Sequence, residues 1–401
     1  MNYNLKPARL EGEVTLPYSK SDYHRRLIAA ALAEGTTVLP PVPCTDNLMT
    51  LRGLEALGAR ILLRDRVEIS GITPTHGGYV DCGESASTLR FLLPLAAAYG
   101  GEYYFRCEEG LLSRAMDYDL PGVTITRMDD GYALSGKLET NTLTIDATHS
   151  SQYATGALFA LAARGGGTLH LTGLRSVPYL RNTLRVLELA GYRIDEDDAY
   201  IEIAGEASVI DTPVERDESA AAFWLLAAVR GAKIAIAGAH DDGADVPDMG
   251  LRAALRAAGT EITVADGRMR ASGKLKAIEY DVGDIPDAAP TLALALAEAK
   301  GTSVLTGMDR LRDKESDRFT ALYDGLRVLG ADVRMGKDTL TVTGRTLSGG
   351  TVDCKDDHRL VMAFAILGAS LSSPVELIRA DGVDKSYPAF WEAFDRLGGK
   401  R

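Results

Sequence analysis

The chain has 401 residues, 46% of them hydrophobic, with a formal net charge of −12 and a pI of about 5.1. That length allows two or three domains with sizeable cores. The acidic balance argues against a broad nucleic-acid or membrane-surface partner, which requires a basic face.

Cys44, Cys82, Cys107 and Cys354 are scattered with no Cys-x-x-Cys pair, the pattern of reduced intracellular thiols rather than a disulfide or zinc frame. Residues 1–14 carry no apolar run, so no signal peptide is expected. The apolar helices are about 12 residues long, too short to cross a bilayer.

In chain order, a strand is predicted over residues 1–15. Ser19, Lys20 and Ser21 then open a helix whose apolar part, 29–33, stops at Gly35; a strand over 36–39 and an amphipathic helix over 47–57 follow. The order recurs with apolar helices over 92–98, 158–163, 225–229 and 292–297, stopped at Gly100, Gly165, Gly231 and Gly301. From Gly35 onward these glycines are spaced 65, 65, 66 and 70 residues apart. Strands follow over 102–105, 168–171, 233–236 and 302–305, and a sixth copy has its helix over 357–368 and its strand over 375–378.

A second glycine series interleaves at Gly58, Gly122, Gly191, Gly259, Gly330 and Gly398, closing second helices over 47–57, 180–190, 251–258, 319–329 and 389–397. The second copy is irregular, because the seven residues 115–121 between Arg114 and Gly122 leave no room for a full second helix. A repeat of this length is a supersecondary unit, not one turn of a solenoid. Helices apolar all round are buried, whereas second helices with charges such as Arg185 and Glu188 sit nearer solvent. Six units make two domains, and the Gly-, Ser- and Pro-containing stretch 204–213 is the best boundary.

The loops that open the first helices carry Ser19–Ser21, Glu84–Thr88, His149–Gln152, Arg216–Ser219, Ile285–Asp287 and Asp356–Arg359. Ser and Asp there are ordinary helix caps taken one at a time. Lys20, Arg25, Arg90, Arg318, Arg359 and Lys385 lie within a turn or two of such loops, however, and cations beside helix N-termini make a site for a ligand with several negative charges. Lys314-Glu315-Ser316-Asp317-Arg318 is the densest charged cluster, and in isolation it reads as a solvated turn. His358 has no second His or Cys at ligand spacing, so no metal is expected. Neither a GxGxxG nor a GxxxxGK[ST] phosphate loop is present.

Seven motifs in order closely resemble the 3-phosphoshikimate 1-carboxyvinyltransferase (EPSP synthase) family over essentially the whole chain. They are Ser19-Lys20-Ser21 with Arg25, Ser150-Ser151-Gln152, Ser176-Val177-Pro178-Tyr179, Ile285-Pro286-Asp287-Ala288-Ala289, Lys314-Glu315-Ser316-Asp317-Arg318, Asp357-His358-Arg359 and Lys385-Ser386-Tyr387-Pro388. The resemblance implies an α/β (α+β) fold of two inside-out barrels, each of three βαβαββ repeats. The domains would be 1–16 plus 214–401 and 17–213, with the active site in the cleft between them. It also implies transfer of the enolpyruvyl group of phosphoenolpyruvate to the 5-hydroxyl of shikimate 3-phosphate, with no cofactor or metal, by a cytoplasmic monomer.

Carried over by motif, Lys20, Ser21, Arg25, Ser150, Ser151, Gln152, Ser176, Tyr179, Asp287 and Lys314 hold shikimate 3-phosphate. Lys20, Ala86, Arg114, Gln152, Arg318, Arg359 and Lys385 hold phosphoenolpyruvate. Asp287, Glu315 and Lys20 are the catalytic candidates.

The sequence departs from the family pattern in the second repeat. Glu84-Ser85-Ala86-Ser87 stands where Asn-Ala-Gly-Thr is common, and Arg114 lacks the usual following Pro and long helix. A methyl group at Ala86 is expected to crowd inhibitors longer than phosphoenolpyruvate, such as glyphosate. The sister UDP-N-acetylglucosamine enolpyruvyl transferases carry a reactive cysteine where this chain has Glu109, and 109–113 contains no cysteine. A six-unit DNA sliding clamp would need basic helices, and these are apolar. A catalytically dead relative is at odds with the presence of Lys20, Asp287, Glu315 and Arg359.

Overall fold

The computed structural model describes residues 1–197 and 200–401. The chain forms two compact units, Tyr18–Glu215 and Met1–Pro17 with Arg216–Arg401. Each has its own apolar core built around three helices: Lys20–Leu32, Ala86–Tyr99 and Ser151–Ala163 in the first, Glu218–Val229, Ala289–Leu296 and His358–Ser370 in the second.

The helix Glu218–Val229 shows why these segments are central. Its sequence ESAAAFWLLAAV has no polar face, and Glu218–Ala228 are all buried. Phe223, Trp224, Leu225 and Leu226 each contribute roughly 1.5–3 kcal/mol on burial. Asp217 caps its start, Oδ1 accepting from the Ala220 N–H at 2.8 Å. Glycine stops Ala86–Tyr99, Ser151–Ala163 and Glu218–Val229 for a backbone reason, whereas Lys20–Leu32, Ala289–Leu296 and His358–Ser370 end at Ala33, Ala297 and Leu371, short of or past the expected glycine. At Gly100, which closes Ala86–Tyr99 with its N–H on the Ala96 carbonyl, φ is +78°, where a side chain would be strained.

Around each set of helices lie three small sheets with one recurring order. In the second repeat Gly77–Asp81 runs parallel to Gly101–Arg106, which pairs antiparallel with Gly131–Gly136, and that strand with Val123–Met128. Thr142–Ala147, Gly166–Leu174, Tyr200–Ala204 and Arg193–Glu196 repeat this arrangement, and so do Glu279–Asp281, Thr302–Thr306, Thr339–Thr343 and Asp332–Met335. The first repeat has only three strands, ordered Thr36–Leu39, Val67–Ile72, Ala59–Leu63.

The expected single strand over 1–15 is two strands in two sheets. Tyr3–Leu5 pairs antiparallel with Val375–Ile378 and completes the sixth repeat; Glu11–Thr15 runs parallel to Lys233–Ala237 and leads the fourth. Pro7 lies between them; it has no N–H for a ladder and fixes φ, which favours a break there. The first helix begins at Lys20, as the Ser19–Ser21 loop leads one to expect, and its N-terminal half buries Asp22, His24, Arg25 and Arg26. The Asp22 and Arg26 charges are tolerated because they are paired: Arg26 Nε donates to Asp22 Oδ2 at 2.6 Å, and Asp22 also meets Arg185 at 3.2 Å and the Glu215 N–H at 3.0 Å.

The second helices form at Thr45–Ala56, Val177–Leu189, Gly250–Ala257, Arg318–Val328 and Phe390–Arg396. The second repeat has only the four-residue turn Glu109–Leu112 there, and residues 115–122 carry no helix. The four cysteines are buried and none forms a disulfide, and among the described residues no helix is long and apolar enough to cross a membrane.

Candidate active site

Polar loops at the N-termini of the central helices are real caps. Ser19 Oγ accepts from the Asp22 N–H, Ser85 Oγ from Thr88, Ser150 Oγ from Gln152 and Asp357 Oδ1 from Arg359. Capping and ligand binding compete for the same N–H groups only in part, since a helix start has four free N–H groups and a cap uses one or two.

In the unit that contains the C-terminal half, five expected residues converge. The Asp287 carboxylate lies 3.1 Å from Arg318 Nη1, 3.1 Å from Arg359 Nη2 and 3.8 Å from Lys314 Nζ. Arg318 also donates through Nη2 to Glu315 and through Nε to Asp357 at 2.8 Å. The Arg318 side chain is fully buried, which it can be only because three carboxylates surround it.

These neighbours set the protonation states. Burial alone would push the Asp287 carboxyl up, but Arg359, Lys314 and Arg318 hold it well below the usual carboxylate range. Burial would likewise lower Arg318, but Asp357, Glu315 and Asp287 raise it instead. Burial lowers the Lys314 ammonium, with Asp287 opposing. Asp287 is therefore an anion gripped by cations that an incoming phosphate or carboxylate can share. Lys385 ends the short turn Val383–Lys385, a separate element of the same unit.

In the unit Tyr18–Glu215, Lys20 pairs with Asp46 at 3.0 Å, and the Asn47 side chain donates to the Lys20 carbonyl at 3.0 Å. Arg25 is fixed by three bonds, from Nε to Thr183 Oγ1, Nη1 to the Ser21 carbonyl and Nη2 to the Tyr179 carbonyl, at 2.8, 2.7 and 2.9 Å. Burial pushes it down to about 10, against the pull of Asp22, so it stays a cation at neutral pH. Ser176, in a left-handed conformation with φ +55°, opens the helix that carries Tyr179 and Thr183.

Gln152 accepts from Arg90 Nη1 at 2.9 Å and donates to Ser87 Oγ at 3.0 Å. Ser150 and Ser151 start the helix that carries it. Ala86, at 8% exposure, is the first residue of the neighbouring helix. Arg114 is also only 8% exposed, and its Nε and Nη2 have no protein acceptor. A buried guanidinium with idle donors is what an anion site provides before its ligand arrives.

The sequence motifs did not mark Asp46, Thr183 or the pairing role of Asp357. Asp46 lies 26 residues from Lys20 on another helix, and no local pattern announces such a partner. Glu315, Asp357 and His358 also bring one ligand atom each to within 4.8 Å of one another. Both carboxylates already face Arg318, so a cation there would have to displace the guanidinium.

The fold has solved counterparts. It superposes on an EPSP synthase from Acinetobacter baumannii with a TM-score of 0.80 over all of both chains at 25% identity. It also matches the enolpyruvyl transferase NikO from Streptomyces tendae with a TM-score of 0.76, covering 100% of this chain and 97% of that one at 18% identity. The architecture is thus the one that enolpyruvyl transferases use. A 3-phosphoshikimate 1-carboxyvinyltransferase from Clostridium kluyveri is 33% identical over 99% of this chain and 97% of its own. The EPSP synthase (3-phosphoshikimate 1-carboxyvinyltransferase) family model matches residues 5–394, and the chain belongs to that family.

Proposed function

We propose that this chain transfers the enolpyruvyl group of phosphoenolpyruvate to the 5-hydroxyl of shikimate 3-phosphate, releasing phosphate. The observation that carries the reading is the Asp287–Arg318–Arg359–Lys314–Glu315 cluster, which combines anion-binding cations with two carboxyl groups in unlike surroundings. The family match over residues 5–394 supports the same substrates.

The reaction needs a proton taken from the 5-hydroxyl as its oxygen attacks C2 of phosphoenolpyruvate, and a proton given to C3. The adduct then breaks its C2–O bond to phosphate and returns the C3 proton, restoring the double bond. Asp287, ionised among its cations, is the candidate acceptor; Glu315, bonded to Arg318, is the candidate donor to C3. Lys20 is the third catalytic candidate, a cation for the developing charge.

Lys20, Ser21, Arg25, Ser150, Ser151, Gln152, Ser176, Tyr179 and Lys314 then hold shikimate 3-phosphate. Lys20, Arg114, Gln152, Arg318, Arg359 and Lys385 hold phosphoenolpyruvate, with Ala86 against it. Arginine forks match both carboxylate and phosphate. In this reading the two halves, 1–16 plus 214–401 and 17–213, face each other across the cleft and close on the substrates, and the enzyme works as a cytoplasmic monomer. The test is phosphate release from phosphoenolpyruvate that depends on shikimate 3-phosphate. Release that requires UDP-N-acetylglucosamine instead, or no release with either acceptor, refutes the proposal.

A further inference from the structure

The helix Ala86–Tyr99 contains Pro94. Proline has no N–H, so the carbonyl four residues earlier, that of Arg90, loses its helical partner. The Tyr118 hydroxyl, reaching in from the shortened segment 115–121, donates to that carbonyl at 2.7 Å. Gly156 on the adjacent helix makes the room: a Cβ there would lie 2.1 Å from the Arg90 carbonyl oxygen, 2.4 Å from the Tyr118 hydroxyl and 3.1 Å from Pro94 Cγ. Three residues from separate parts of the second and third repeats thus fit one contact.

The same loop is held twice more. Tyr153 packs edge-on to Tyr118 with ring centroids 5.0 Å apart, donates to the Ala115 carbonyl at 2.6 Å and accepts from the Asp117 N–H at 3.2 Å. Arg90 donates to the same Ala115 carbonyl at 2.8 Å, donates to Gln152 at 2.9 Å and lies over the Tyr153 ring at 4.9 Å. Ala115 directly follows Arg114, whose buried guanidinium has idle donors. Burial pushes the Tyr118 phenol up, which keeps it a donor.

We propose that Tyr118 is a positioning residue: it pins the loop that replaces the missing second helix and so aims Arg114, at the start of that loop, at the anionic groups of phosphoenolpyruvate. The inference rests on the reading of Arg114 as part of the phosphoenolpyruvate subsite. It predicts a substrate-selective effect, because Arg25, Ser21, Ser176 and Tyr179 are bonded through a different set of contacts.

The test compares wild type, Tyr118→Phe and the double variant Pro94→Ala/Tyr118→Phe. Alanine at 94 gives the Arg90 carbonyl a helical N–H again but leaves the loop unpinned. The KM for phosphoenolpyruvate is expected to rise about tenfold in both variants, the worth of a hydrogen bond or so. The KM for shikimate 3-phosphate should stay within about twofold, and the double variant should regain the thermal midpoint lost by the single one. A KM for phosphoenolpyruvate that is unchanged in Tyr118→Phe, or restored in the double variant, overturns the proposal. Hydrogen exchange separates this from failure of the functional reading: even if wild type released no phosphate, the Asp117 amide should exchange faster in Tyr118→Phe, and equal exchange refutes the pinning itself.

Discussion

Arg318 is the residue on which the candidate site is most exposed to test. Its guanidinium serves Asp357, Asp287 and Glu315 from three different nitrogens. In Arg318→Lys one ammonium at the end of a straight stem cannot reach three carboxylates in three directions. Losing two charge-assisted bonds of about 1.5–3 kcal/mol each would cost about 3–6 kcal/mol. The retained charge recovers part of that, leaving a net loss of roughly 2–4 kcal/mol.

Both tryptophans, Trp224 and Trp391, lie in the compact unit that contains Arg318. Tryptophan fluorescence during urea unfolding therefore reports on that unit alone, which avoids treating a two-unit chain as one transition. Asp357→Asn and the double variant complete a cycle, for which a coupling of at least about 1 kcal/mol is expected. An Arg318→Lys loss below about 0.5 kcal/mol, or a coupling near zero, would refute the claim that the buried ion cluster holds this part of the protein.

Four further outcomes follow from the same geometry. Glu315→Gln should keep binding of both substrates, measured by calorimetry, while losing most turnover; unchanged turnover removes Glu315 from proton transfer. Asp287 has a depressed folded pKa, so its carboxylate contributes stability above its unfolded value of about 3.9 that is lost as pH falls. The stability difference between wild type and Asp287→Asn should accordingly shrink below about pH 4, and a pH-independent difference contradicts the ion-pair account. Because burial lowers Lys314, shikimate 3-phosphate affinity should weaken on the alkaline side before an ordinary lysine would titrate, and Lys314→Arg should abolish that limb; an identical alkaline profile argues against Lys314 as a phosphate ligand. Ala86→Gly should make the enzyme more sensitive to glyphosate, measured as a lower inhibition constant against phosphoenolpyruvate; equal sensitivity rules out crowding by that methyl group.

The order of elements was legible because its signals are local. The apolar helices that precede glycines 35, 100, 165, 231 and 301 and the strands after them depend on neighbouring residues, and the observed strands Thr36–Leu39 and Val375–Ile378 begin and end as read. The same local grammar misread residues 1–15 as one strand, because nothing short-range says that the two halves pair with strands more than 200 residues away.

The candidate site divides in the same way. Sequence alone marked the loops in which the candidate residues lie, since a Ser or Asp at a helix start with basic residues nearby is a pattern within a few residues, and the motifs named Asp287, Lys314, Glu315, Arg318 and Arg359 together. Only the tertiary structure decided which charges meet. Asp287 and Arg359 are 72 residues apart, Lys20 and Asp46 are 26 apart, and the bond from Tyr118 to the carbonyl that Pro94 leaves unpaired spans 28 residues. Ion pairs and hydrogen bonds act over a few ångströms in space regardless of chain separation, so their partners and the protonation states they impose appear only when the chain is folded.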